Sequence, residues 1–395
     1  MFERIWVVTW KETIDNLRDR RSVMNTLGTV LFNPIFYIVL FGFLNRSFSE
    51  RAEQQLHLPV MGGENAPNLV RFLENNDVAV YPAPADAEAQ VRAGNLDVVL
   101  VIPEDYGDLF SAGETATVEL MVDESNQSAS VSLDRTEELL QRYGLRVGSL
   151  RLLARGISPV IMVPVTVETV DVSPEGRGSD GFALNLLPTV MITAAFFGGF
   201  FLAVDMTAGE RERESIEPLL TNPVPRWMIV IGKFTAAFVF TILATALATG
   251  LFTALLSAPQ VQDWTNIRVS LAPEVVAAAV LLMLPVVFAA VALEMLIASY
   301  ARSFKEAQTY VQIVAMIGFL PTIFLSVLPI QQQSWMAFVP TVSQLYLIQS
   351  LSRGEPLDVG NAVIASIITL LIGVIALLAA VNLYNQERII LGGHR

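Results

Sequence analysis

The residues best suited to chemistry stand in one short stretch, Gly209-Glu210-Arg211-Glu212-Arg213-Glu214-Ser215-Ile216-Glu217-Pro218-Leu219-Leu220, followed by Thr221-Asn222-Pro223 and later by Gly232-Lys233. Acids and bases alternate there, and an apolar pair follows a proline. Interleaved Glu and Arg can form charge-assisted pairs with a partner and fix its register, while Leu219 and Leu220 could enter a groove. Such a segment suits docking better than catalysis; a solvated loop that anchors a membrane boundary is the plainer reading of the same spacing. Glu294 is a lone acid inside a long apolar run, and acids placed in a membrane are expensive and mark function by default. Asn33 beside Pro34, and Asn185 near Pro188, could kink their helices and turn carbonyls toward a pathway. Ordinary helix packing is the simpler explanation of each.

Several chemistries are excluded. The chain has no cysteine and only two histidines, His57 and His394, so thiolate catalysis, cysteine metal sites and histidine chemistry have no material to work with. Catalytic and metal-binding residues are expected to be absent. Gly232-Lys233 is followed by Phe234 rather than Ser or Thr, without a glycine-rich loop to cradle phosphates, so no nucleotide or other cofactor is expected on this chain. The net charge is −13, much of it between residues 49 and 180, where it would repel nucleic acid.

The elements that carry these residues are membrane spans. Of 395 residues, 53% are hydrophobic and 16% charged, and mean hydropathy is +0.52; soluble domains carry roughly 25% charged residues. About 20 apolar residues cross a bilayer core as a helix, and six runs suffice: 23–44, 182–204, 234–256, 275–300, 309–328 and 363–384. The segment 329–352 is apolar but broken by Pro329, Pro340 and Gln331-Gln332-Gln333, and reads as re-entrant. The charged stretch then falls in a loop over 205–233, and Glu294 about six residues, or on the order of 9 Å, from its helix end, within reach of water or of Arg302.

Basic residues orient the spans. Arg4, Lys11, Arg18, Arg20, Arg21, Arg211, Arg213, Arg226, Lys233, Arg302, Lys305, Arg388 and Arg395 all fall on one side, so both termini are expected in the cytoplasm, with the protein multi-pass in the inner membrane. Residues 1–22 recur as an amphipathic helix on the inner membrane surface, Phe2, Ile5, Trp6, Thr9, Trp10, Thr13, Ile14 and Leu17 forming one face. Packing on protein is the alternative.

Residues 46–180 change character. Strands at 57–61, 78–81, 97–102, 117–122 and 161–172 alternate with helices at 67–74, 85–93, 104–110 and 131–154, which favours an inserted α/β domain outside the cytoplasm.

At the charged stretch the sequence resembles a known family. Glu-Arg-Glu-Arg-x-Ser-Ile-Glu-x-Leu-Leu-x-x-Pro, continued by Gly-Lys, looks like the loop between the second and third helices of ABC type 2 permeases. Trp10-Lys11-Glu12 with Arg18-Asp19-Arg20-Arg21, the segment Gly94-Asn95-Leu96-Asp97-Val98-Val99-Leu100-Val101-Ile102-Pro103, and Asn385-Gln386-Glu387-Arg388 are similar to the NatB-type sodium-export permeases. The family usually has Gly-Thr where this chain has Glu214-Ser215. The resemblance implies an α-helical membrane protein of the ABC type 2 exporter fold, a permease subunit without its own nucleotide site. It also implies a separate ABC ATPase subunit that binds ATP and contacts Glu210, Arg211, Glu212, Arg213, Ser215, Glu217, Leu219 and Leu220, and a second permease copy or paralogue. Sodium efflux is the substrate implied; relatives of the same architecture export lipids, drugs or polysaccharides. Glu294, Asn33 and Asn185 are the candidate pathway residues. A membrane-anchored binding or sensory protein is the alternative of a different class, disfavoured by six spans and by the charged loop.

Overall fold

The structure is a computed structural model that describes residues 2–53, 55–123, 129–162, 181–213, 224–265, 271–328, 330 and 332–385. The chain divides into two compact units, one of residues 1–46 with 171–395 and one of residues 47–170.

The first unit is helical. It contains α1 (Phe2–Arg18), α2 (Arg20–Glu53, which continues into the second unit), α7 (Gly181–Phe197), α8 (Phe200–Val204), α9 (Glu210–Glu212), α10 (Arg226–Leu256), α11 (Pro259–Thr265), α12 (Pro273–Tyr300), α13 (Phe304–Val327), α14 (Val342–Ser352) and α15 (Val359–Asn385). Among the described residues, six stretches are long and apolar enough to cross a membrane: Val23–Phe43, Leu184–Glu212, Arg226–Leu256, Pro273–Tyr300, Phe304–Ser326 and Val359–Tyr384, called spans 1 to 6 here. Span 2 has 89% of its apolar window buried against 22–44% for the others, so it is the central helix on which the bundle is built.

Two boundaries differ from the sequence reading. The helix of span 2 does not end near residue 204; it continues through a π turn, Asp205–Gly209, into α9, so Glu210, Arg211 and Glu212 sit on a helix end rather than in a loop. The helix of span 3 begins at Arg226, eight residues before the expected start, and carries Lys233 inside it. Both extensions have one cause: the charges that argued for a loop are neutralised by partners in the bundle, so the backbone has no reason to leave the helix.

Inside lipid, helices gain little from apolar burial and rely on close packing of small residues. Spans 4 and 6 share the most extensive contact in the chain. Gly373 faces that contact, where an added Cβ would lie 2.6 Å from Phe288 Cδ1 and 2.9 Å from the Ala289 Cα. The short α14, too short at 11 residues to cross a bilayer, is buried from Val342 to Gln349. Gln344 ties it to span 6: its Oε1 accepts from the Thr341 amide at 3.0 Å, and its Nε2 donates to Thr369 Oγ1 at 3.2 Å.

The second unit is α/β. Its four strands, β1 (Leu56–Met61), β2 (Val78–Pro82), β3 (Val98–Val101) and β4 (Glu119–Val122), form a sheet in the order β2-β1-β3-β4. β1 pairs in parallel with β2 and β3, and β4 runs antiparallel to β3. One face, with Leu58, Val60 and Leu100, packs with Leu69 and Leu73 of α3 (Pro67–Glu74), Tyr106 of α5 (Tyr106–Ala112) and Leu139 of α6 (Ser130–Ala154). The other, with Val99, packs with Ala87 and Val91 of α4 (Ala87–Arg92). Apolar residues on both faces are what a parallel sheet covered on two sides requires. The strand expected at 161–172 is not observed over its first residues, where Pro159–Met162 is a 3-10 turn; its remainder lies outside the described residues.

Gly373→Val should lower the stability of the detergent-solubilised chain by about 1–3 kcal/mol through overpacking, read as a lower thermal midpoint.

Candidate functional site

Four consecutive charged side chains close span 2, and each is held by a different element. Glu210 pairs with Lys233 of span 3. Lys233 is 1% exposed; its Nζ donates to the Met206 carbonyl at 2.9 Å and lies 3.9 Å from Glu12 Oε1 of α1. The Arg211 guanidinium donates to the carbonyls of Ser299 at 2.8 Å and Ala301 at 2.9 Å. It thereby satisfies acceptors that the end of span 4 leaves without helical partners. Glu212 accepts from the Phe304 amide at 2.6 Å, placing a carboxylate on the N-terminus of span 5, where the helix dipole favours it. Arg213 reaches back 2.8 Å to Asp205, the first residue of the π turn. Thus spans 2, 3, 4 and 5 and the N-terminal helix meet at one knot of charge.

The geometry explains the local sequence. The π turn shifts the register of span 2 so that successive charges, rather than residues three or four apart, find partners on several sides. Helix α1 contributes an unusual face: Thr9, Glu12 and Asn16 are buried, spaced three and four apart as one helical stripe. Thr9 Oγ1 donates to the Gly232 carbonyl at 3.2 Å, and a Cβ on Gly232 would lie 2.6 Å from Val8 Cγ1. Gly232 is the residue that lets α1 come this close to span 3. Trp6, Val7, Trp10 and Leu17 are exposed, so the polar stripe of this helix is covered by protein while its large apolar side chains are not. On the outer edge Lys11 bonds Glu12 at 3.1 Å. Burial works against its charge, but Glu12 outweighs it, and Glu210 and Asp15 add to this, so its pKa is raised.

The remaining sequence candidates fare differently. Glu294 is fully buried, and among the described residues neither carboxylate oxygen has a hydrogen-bond partner; the pairing with Arg302 that its position allows is not made. The amide oxygens of Asn33 and Asn185 are likewise buried without a partner, and among the described residues no hydrogen bond joins the three. Ser215, Glu217, Leu219 and Leu220 lie outside the described residues. The sequence reading missed Lys233 and Glu12 as site residues. The signal was present in Lys233, one of three lysines in the chain and adjacent to an apolar run, but its partner Glu12 is separated by more than two hundred residues.

This arrangement is that of a helix bundle wired at one end to a single helix terminus. The sequence profile described as "ABC-2 family transporter protein" matches residues 25–383. The chain belongs to the ABC-2 transporter family. It is also 28% identical over 329 residues to the ABC transporter permease protein NatB of Bacillus subtilis (strain 168), a match that covers 80% of this chain and 81% of that one. No solved structure matches. As an ABC-2 permease the chain is the membrane component of its transporter, and membership of the family implies an ABC ATPase subunit as partner. The knot is therefore part of the permease's own framework.

Replacing Lys233 with Met would leave Glu210 without the cation it pairs with and Glu12 with Lys11 alone. Thermal unfolding of the purified permease should show a loss of about 3–5 kcal/mol, most of it restored when Glu12→Gln and Glu210→Gln are added to Lys233→Met.

Proposed function

We propose that this ABC-2 permease is the membrane subunit of an exporter in which a separate ATPase docks on the segment after span 2 and drives the helix ends through its nucleotide cycle. The observation that supports this reading is the knot itself. A displacement of α9 is passed to span 3 through Glu210 and Lys233, to span 4 through Arg211, to span 5 through Glu212 and to α1 through Lys233 and Glu12, a contiguous chain of packed polar contacts of the kind that carries coupling. In this reading Glu210, Arg211, Glu212 and Arg213 transmit the motion, and contact with the ATPase falls to Ser215, Glu217, Leu219 and Leu220.

The knot then faces the cytoplasm with both termini, the α/β unit lies on the opposite side of the inner membrane, and two permease copies, or this chain with a paralogue, enclose the pathway. Sodium is the exported ion, as the resemblance to the NatB-type permeases implies. Glu294 is the carboxylate of span 4 that serves the pathway: a fully buried carboxylate without a partner is costly, and such a cost persists where a group is needed for function.

Three measurements test the reading. The permease and its ATPase, reconstituted together in vesicles, should move sodium in an ATP-dependent way. Glu212→Gln, which weakens the hold on span 5 by one charged hydrogen bond, should leave the two subunits co-purifying and hydrolysing ATP while flux per ATP falls roughly tenfold. Unchanged flux per ATP would refute transmission through the knot, and absence of sodium flux in an active complex would refute the substrate. Glu294→Met should raise the thermal midpoint by about 1–3 kcal/mol of added stability and abolish export; a stabilised variant that still exports would remove Glu294 from the pathway.

A further inference from the structure

The α/β unit is strongly acidic. Between Ser47 and Val170 the chain has nineteen Asp and Glu residues and eight Arg, with no Lys. One cleft reverses that sign. Where α3, α5 and α6 meet, a cavity of about 500 Å³ is lined by Arg71, Arg146 and Arg151, and no acidic residue lines it among the described residues. Three of the unit's eight cationic side chains thus converge on one depression of a surface that elsewhere repels anions.

The cleft has an aromatic floor. Phe72 and Tyr143 lie with ring centroids 5.2 Å apart, and Phe110 carries the Arg151 guanidinium over its face at 4.7 Å. Arg151 is committed to the framework, donating to the Phe110 carbonyl at 2.7 Å, and its stacking keeps the ring in place. Next to Tyr143 lies Tyr106, whose phenol burial pushes up to about 12. The guanidinium groups of Arg71 and Arg146 make no ion pair or hydrogen bond among the described residues. By contrast, Arg92 and Arg142 of the same unit are paired with Glu88 and Glu138 on their own helices. Leu150, at the rim, is 59% exposed.

Two free guanidinium groups beside a rigid, partly exposed aromatic floor combine the two parts that ligand sites use: polar groups to fix orientation and apolar surface to supply contact. Guanidinium forks match carboxylate, sulfonate and phosphate oxygens. We infer that this cleft is a binding site for a small anionic amphiphile, an organic anion whose acid group meets Arg71 and Arg146 and whose aromatic or aliphatic body rests on Phe72, Phe110 and Tyr143. The site belongs to the α/β unit alone and stands independently of the exporter mechanism.

The test uses the full chain in a non-ionic detergent and isothermal titration with three probes: 2-naphthalenesulfonate, uncharged 2-naphthalenemethanol and inorganic sulfate. Saturable binding is expected for 2-naphthalenesulfonate only. Its affinity should fall at least about tenfold in the Arg71→Glu/Arg146→Glu variant and stay unchanged in Arg92→Glu/Arg142→Glu, which alters net charge equally at surface positions outside the cleft. Equal losses in both variants would reduce the effect to the general field of the unit. Sulfate binding as tightly as the naphthalenesulfonate, the uncharged alcohol binding as tightly, or no saturable binding of any probe would each overturn the proposal.

Discussion

Lys233 is the residue around which the helical unit is organised. A lysine placed in an apolar span costs several kcal/mol unless its charge is matched, and here one ammonium group is answered by Glu210 from the end of span 2 and by Glu12 from the N-terminal helix. Buried Glu210 depends on this cation, and the buried cation depends on Glu210 and Glu12. The mutual requirement adds a directional tie to three chain segments that are also packed closely, as at Gly232 and Val8.

The same logic extends outward through Arg211 and Glu212. Each satisfies backbone groups left open at a helix terminus, at the end of span 4 and the start of span 5, with charged groups well matched to the local dipoles. Polar contacts at these ends are stronger and more directional than the packing between spans, where Gly373 and its neighbours provide close approach but no preferred axial position. Charged contacts are thus concentrated at one end of the bundle, while the interior has mainly apolar packing with a few neutral polar ties such as Thr189 to Ser326. Asn33, Asn185 and Glu294 lie in that interior with unsatisfied oxygens, the places where the bundle is least content with its own packing.

The α/β unit obeys different rules. Its sheet is covered on both faces, and its charge is strongly negative. Against that background the arginine-lined cleft between α3, α5 and α6 is a local exception in both charge and apolar exposure, and the aromatic contacts beneath it are rigid enough to be a site rather than a patch.

Much of this was legible in the sequence because the signals are one-dimensional. A run of apolar residues has one solution in a bilayer, so the number of spans followed from length and hydropathy. Strand and helix periods distinguished the inserted unit, and the motif at 210–220 was sufficient to suggest the family. What the sequence could not express was where charges near the helix ends go. Charge signals a departure from the helix for a side chain facing water but not for Glu210, Arg211 and Lys233, whose partners arrive from elsewhere in the chain. Glu12 and Lys233 are neighbours only after folding, as are Arg71 on α3 and Arg146 on α6. Local pattern determined which segments are helices, strands and spans; only the tertiary structure decided which charges are neutralised, because the energy of a buried charge depends on the distance to its counter-charge and not on its place along the chain.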